Sequence, residues 1–211
     1  MRLDIRVGLV AFLAACDQPG VQVRAVEGPA QRTMGELRKL HGSTPVPCAL
    51  PAVDPAPAGV VLTSLDGRFR VVVAGRWPAE PVVETSRHVL GHGPRSRWTD
   101  DRRRAIVIEL EENGLSGPRT IEDSSHPLEA SEPCEVADGD AGAIWRFYSP
   151  VPPDTSMRPF PHIGLAEMIT RDSLRYRIEV SAVTASARDS LARIVSDAAM
   201  GQSAAAASGG A

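Results

Sequence analysis

From Leu174 to Ala182 apolar and polar residues alternate without a break. Leu174, Tyr176, Ile178, Val180 and Ala182 point one way, and Arg175, Arg177, Glu179 and Ser181 point the other. A period of two marks a strand with one apolar face. Slipping its register by one residue would turn that whole face over, so the strand needs a fixed place in a sheet. Something apolar must then cover it. Ser186 is a candidate N-cap with Asp189 near the positive end of the helix dipole. Leu191, Ile194, Val195 and Ala198 recur at helical spacing until Gly201 stops the run. A sheet under a C-terminal helix is the expectation, the α+β class.

The remaining segments supply partners for that strand. Residues 59–65 read as a strand that turns at Asp66-Gly67 into a second one carrying Phe69, Val71 and Val73. Residues 82–89 read as another, followed by a polar loop through Trp98. Ile106, Val107, Ile108 and Leu110 make a buried strand closed by Asn113-Gly114. Glu135-Val136 and residues 143–148 flank a turn at Asp138-Gly139-Asp140, and residues 163–170 pair with 174–183 around Arg171-Asp172-Ser173. The sheet is therefore mainly antiparallel, and residues 59–200 are expected to form one domain. Residues 16–58 read as a lead-in outside the core, with a short strand at Val21, Val23 and Val26 and a short helix over 31–41 stopped by Gly42. Pro45, Pro47, Pro51, Pro55 and Pro57 make its end an extended linker. The Ala-, Ser- and Gly-rich residues 201–211 have little to bury and are expected to be disordered.

The first sixteen residues carry a different signal. Arg2 and Arg6 precede an apolar run over residues 7–15, which ends in Leu13-Ala14-Ala15-Cys16. Such a run is too short to span a bilayer, which takes roughly 20 residues, and it has the layout of a cleavable signal. Leu13-Ala14-Ala15-Cys16 resembles the lipobox read by the bacterial lipoprotein signal peptidase. The resemblance implies removal of residues 1–15, acylation of Cys16, and a body anchored to the cell membrane facing the periplasm or cell exterior. Asp17 resembles the inner-membrane retention signal of enteric lipoproteins. Each buried methylene of an acyl chain adds about 0.8 kcal/mol, and several chains make the anchor stable.

With Cys16 assigned to lipid, Cys48 and Cys134 remain, an even remainder in an oxidising compartment. A bridge between them would close a loop worth roughly 4–5 kcal/mol in the chain-entropy picture. Two separate buried thiols are the other reading.

The stretch Thr63-Ser-Leu-Asp-Gly-Arg-Phe-Arg-Val-Val-Val-Ala-Gly-Arg-Trp-Pro78, residues 104–110 and the closing strand and helix over 176–200 together resemble the PsbP-like fold, named for an extrinsic photosystem II subunit. Ala74 stands where proline is usual in that pattern. The resemblance implies a binding or assembly role and transfers no catalytic residue.

Sites with chemistry are sparse. His88 and His92 would share a helix face, but on an extended chain they lie roughly 13 Å apart, too far for one metal ion. Glu122, Asp123, Ser124, Ser125 and His126 are neighbours in sequence, which rarely aim at one another, and Pro127 marks a turn. Gly114-Leu115-Ser116-Gly117 lacks the spacing of a nucleophile elbow, and Asp138-Gly139-Asp140 lacks the remaining ligands of a calcium loop. Arg95, Arg97, Arg102, Arg103 and Arg104 gather around Trp98, a candidate binding surface for anionic headgroups or an acidic polymer, with guanidinium stacking on the indole. A net charge of -3 gives no argument for nucleic acid. No metal, cofactor or catalytic group is assigned. The expected function is a non-enzymatic, lipid-anchored envelope module for a protein or polymer partner. The alternatives are an envelope hydrolase using His126 or His162 and a small-ligand sensor subunit.

Overall fold

The computed structural model describes residues 33–42, 45–54, 58–84, 95–111, 121, 128–151 and 160–201. Cys16 with the rest of the N-terminal signal, the 21–26 strand, His88, His92, residues 114–117, residues 122–126 and the 202–211 tail lie outside them.

The alternating segment sits in the middle of a nine-stranded sheet. As β11 (Arg175–Ala182) it pairs antiparallel with β10 (His162–Ile169) on one side and β6 (Arg104–Leu110) on the other. Outward from β6 come β5 (Arg95–Thr99) and β4 (Val82–Glu84). Beyond β10 lies the long β9 (Ala141–Pro150), whose outer edge receives both β7 (Leu128–Ala130) and β8 (Cys134–Asp138). The short β1 (Val46–Pro47) adds to β8 and is the one parallel pairing in this sheet. The Asp138-Gly139-Asp140 turn joins β8 to β9, with Gly139 at φ 64°.

Residues around Trp98 are strand, not polar loop. Arg95–Thr99 alternates, with Ser96 and Trp98 buried and the arginines on the opposite side. The arginines disguised the period because they suggest solvent, whereas here they meet acidic partners.

The first face of the sheet is apolar and roofed over its centre. Trp98, Ile106, Ile108, Trp145, Met168, Tyr176 and Val180 form it. Helix α2 (Ala185–Ala199) and the hairpin of β2 (Val60–Thr63) with β3 (Arg70–Val73) cover it side by side. Leu191 and Val195 of α2 and Leu62 and Val71 of the hairpin are wholly buried there. Helix α2 starts two residues earlier than the sequence suggested: Thr184 is the N-cap, its hydroxyl accepting from the Ala187 N–H at 3.2 Å. Two hydrogen bonds fix the roof. Trp145 Nε1 donates to Ser196 Oγ at 2.9 Å, and Tyr176 Oη donates to Asp66 Oδ2 at 2.7 Å across the hairpin turn. Burial and the Asp66 carboxylate push the Tyr176 hydroxyl well above the usual phenol range.

Part of the lead-in belongs to the fold, contrary to the sequence expectation. Thr33 and Glu36 form a capping box that opens α1 (Met34–Leu40), and Met34 and Leu37 bury themselves against Ile144 and Ile169 on the second face of the sheet. Cys48 and Cys134 are joined by a disulfide with Cα atoms 4.8 Å apart. The Cys48 N–H donates to the Glu135 carbonyl, and the Arg38 guanidinium grips the Glu135 carboxylate, with Nε to Oε2 at 2.8 Å. The prolines made this stretch look like a free linker, yet a bridge and a buried helix face fasten it to the sheet edge. Replacing both cysteines by serine is expected to lower unfolding free energy by about 2–5 kcal/mol. Urea denaturation of the double variant beside the oxidised parent measures it.

Candidate functional site

The second face of the sheet carries charge where a half-buried antiparallel sheet would normally meet water. Cross-strand register places Glu84, Arg95, Glu109, Arg177 and Glu167 opposite one another in a single row across β4, β5, β6, β11 and β10. The signs alternate along the row. Opposite charges facing across strands stabilise, and like charges destabilise, so this order is the one that lets a charged row be buried. Glu109 is 3 %, Glu167 4 % and Arg177 6 % exposed.

Neighbouring rows complete the neutralisation. Arg175 Nε lies 2.6 Å from Glu111 Oε2, and Arg175 Nη2 donates to Glu167 Oε2 at 2.5 Å. Arg177 Nη2 is 3.5 Å from Glu111 Oε1, and Arg95 Nε donates to Glu109 Oε2 at 2.7 Å. Burying an ion costs several kcal/mol, which only close and multiple partners offset. The polar side of a strand with one apolar face ordinarily meets water. On β11 it does not: Arg175 and Arg177 are buried among carboxylates from β6, β10 and the residue following β6.

His41, the C-cap of α1, joins this cluster from the helix. Its side chain is 7 % exposed, and Nε2 stands 3.6 Å from Glu167 Oε2. Both ring nitrogens are buried without a hydrogen bond among the described residues. Burial drives the Glu167 carboxyl up, but the His41 ring and Arg175 outweigh it and hold the group below the usual carboxylate range.

Beyond α1 the second face opens into a trough. Val107, Ile144 and Leu165 make its floor, His41, Glu109, Glu167 and Arg177 its head, and Arg146 and Glu179 its sides. Its enclosed volume is about 30 Å³, and the rest of its empty space belongs to the open mouth. That is room for roughly two ordered waters. A second cleft runs past Arg38, Pro45, Pro47 and Glu135, but its two charges satisfy each other.

The arginines grouped in sequence do not form one patch. Trp98 is wholly buried on the first face and cannot stack on a surface guanidinium. Arg95 and Arg97 lie on the second face, bound to Glu109 and Glu84. Arg104 turns back to Asp100 Oδ2 and the Ala74 carbonyl and lies over the Trp77 ring, 5.3 Å from its centroid. Arg102 and Arg103 stay exposed in the β5–β6 turn. Strand alternation and the tight turn explain the scattering: neighbours in sequence point to opposite faces. The site that sequence reasoning missed, His41 with Glu109, Glu167, Arg146 and Arg177, is spread over five elements. Its one legible trace was the charged half of the 174–182 alternation.

Among the described residues no group of three or more His, Cys, Asp or Glu side chains could hold a metal ion. Glu167→Gln would leave Arg175 with one buried partner fewer, and a loss of about 3–5 kcal/mol at neutral pH is expected. A depressed folded-state value means the unfolded chain binds more protons, so the stability Glu167 supplies is full above about pH 4.5 and fades as pH falls further. The variant should therefore lose less stability than the parent on acidification, as read by denaturant titrations at a series of pH values. Set against known families, curated proteins and solved structures, the chain matches none in any of the three comparisons.

Proposed function

We propose that this protein is a lipid-anchored envelope binding module, acylated at Cys16 and held at a cell membrane facing the periplasm or cell exterior, with the trough on the second sheet face as its binding surface. The observation that carries this reading is the Cys48–Cys134 bridge. Structural disulfides persist in oxidising compartments, so the bridge agrees with export. It also leaves Cys16 as the single unpaired cysteine of three, at the end of an apolar run behind two arginines. The PsbP-like likeness belongs to the same proposal. Its supports are the 63–78 hairpin segment, the buried strand over 104–110, and the final strand and helix, which lie together in an α+β fold.

A hydrolase reading has one observation in its favour. Ser149 Oγ lies 3.3 Å from His162 Nδ1. The same hydroxyl accepts from Arg188 Nη1 at 3.2 Å, and that guanidinium also donates to the Tyr148 carbonyl and pairs with Asp189. These contacts tie α2 to β9, and burial and Arg188 hold the His162 ring below its usual range. A docking role for the serine accounts for all of them, and the binding reading is preferred.

In a bacterial host the mature chain is expected to begin at Cys16 and carry fatty acid, seen by intact mass and by incorporation of labelled palmitate. Cys16→Ser should move the protein from the membrane to the soluble fraction. An unmodified chain still beginning at Met1, or unchanged membrane partition of the variant, would refute the anchor.

A further inference from the structure

The trough has two charged walls that its own fold leaves unmatched. Leu165 stands directly opposite Arg146 on one neighbouring strand and Glu179 on the other. Two strand spacings separate the walls, roughly 10 Å. Both side chains are half-buried, and neither forms an ion pair or hydrogen bond among the described residues. Every other acid and base on this face near the trough has a partner: Glu84, Arg95, Glu109, Glu111, Glu167, Arg175 and Arg177. One cation and one anion therefore remain, facing each other across an apolar floor.

The head of the trough supplies an independent sign of a missing partner. The His41 ring is more than nine-tenths buried and lines the trough; Nε2 faces Glu167 at 3.6 Å, and Nδ1 has no hydrogen bond among the described residues. Its contact with Glu167 places it over the row of Ile144, two residues along β9 from Arg146. Along a strand that is roughly 7 Å, so an anionic group beside Arg146 falls within reach of the imidazole as well. The Arg146 guanidinium and the His41 ring thus stand on the β9 side and a carboxylate on the β11 side. An unmatched buried donor is costly to leave so, and a ligand carboxylate would satisfy it.

We infer that the trough is a binding site for a small zwitterion of the α-amino acid class. Its carboxylate would enter the enclosed part of the trough between Arg146 and His41, while its ammonium, against Glu179, and its apolar side chain, along Leu165, would lie in the open mouth. The enclosed space takes little more than a carboxylate, and the mixed charge of the walls disfavours a simple anion or cation. A fatty acid is disfavoured as well, because its long chain would have to cross the charged row. This inference deepens the binding-module reading by naming the ligand, and it does not depend on acylation.

The test uses the full chain as its Cys16→Ser variant, so that the presence or absence of lipid does not enter the readout. Methyl signals of Val107, Ile144 and Leu165 are followed by NMR during titration with L-leucine, 4-methylpentanoate, 3-methylbutan-1-amine and glycerophosphoethanolamine. Leucine is expected to shift all three residues saturably. The two singly charged analogues should bind at least roughly tenfold more weakly, each lacking one charge-assisted contact. Arg146→Gln and Glu179→Gln, folded by the criterion of an otherwise unchanged methyl spectrum, should each weaken leucine by a similar factor. The proposal is overturned if leucine causes no shift, if either analogue matches it, or if both variants bind leucine as the parent does. Tighter binding of glycerophosphoethanolamine than of leucine would assign the trough to a lipid headgroup and overturn the amino-acid assignment. Failure here leaves acylation of Cys16 untouched, and failure of acylation leaves the titration unaffected.

Discussion

Strand β11 has to serve two chemistries at once, and most of the structure follows from how they are kept apart. On one side Tyr176, Ile178, Val180 and Ala182 join a dry core; on the other Arg175 and Arg177 are buried as charges. The dry side needs only apolar cover, and α2 with the β2–β3 hairpin provides it. The charged side has a stricter requirement, because each buried ion must find an opposite charge at contact distance. Register is therefore fixed twice over, by the apolar alternation and by the sign order of the Glu84–Arg95–Glu109–Arg177–Glu167 row. A slip of two residues that brought Glu179 between Glu109 and Glu167 would keep the apolar face correct and still set three carboxylates side by side. The ion row thus excludes registers that hydrophobic burial alone would accept. This role in specificity is separate from net stability, where such rows gain little over apolar packing.

Local periodicity made the first face legible. The 174–182 alternation, the Asp66-Gly67 turn, the hairpin around residues 138–140 and the helix through Leu191 and Val195 could each be read within a window of about ten residues, and each stands in the structure. The second face was illegible for a physical reason: its partners are brought together only by sheet order. Glu109 and Glu167 are separated by many residues, and nothing local distinguishes them from solvated acids. The same holds for Trp98, whose arginine neighbours imitate a surface loop although the indole is core. Reading charge as exposure fails where a sheet carries its own counterions.

The N-terminal part of the fold shows how a proline-rich segment can be structural. Proline removes amide donors, so β1 makes only a two-residue parallel pairing with β8. That pairing is too short to hold by itself. The disulfide, the buried Met34 and Leu37, and the Arg38–Glu135 pair do the holding instead, each acting through a side chain. A segment poor in backbone hydrogen bonds can thus be docked firmly. It also delivers His41 to the second face, which no strand of the sheet could do at that height.

The position of the bridge relative to α1 matters if a tether precedes them. Cys48 follows α1 in the chain, so a pull arriving from the N-terminal side reaches Thr33 and the helix before it reaches the covalent staple. The helix resists through two buried side chains, the Arg38–Glu135 pair and the His41–Glu167 contact, all of them non-covalent. Cys48 is only seven residues beyond His41, so even a displaced helix would stay close to the sheet edge. The bridge therefore sets a short leash on α1 rather than clamping it. The trough head, closed by His41, is in this geometry the part of the site most sensitive to how the N-terminal segment is held, whereas Leu165 and Glu179 are fixed by strands on both sides and Arg146 by β10 on one. Coupling between anchoring and binding would pass through that imidazole and through Ile144, the floor residue on which α1 packs Met34 and Leu37.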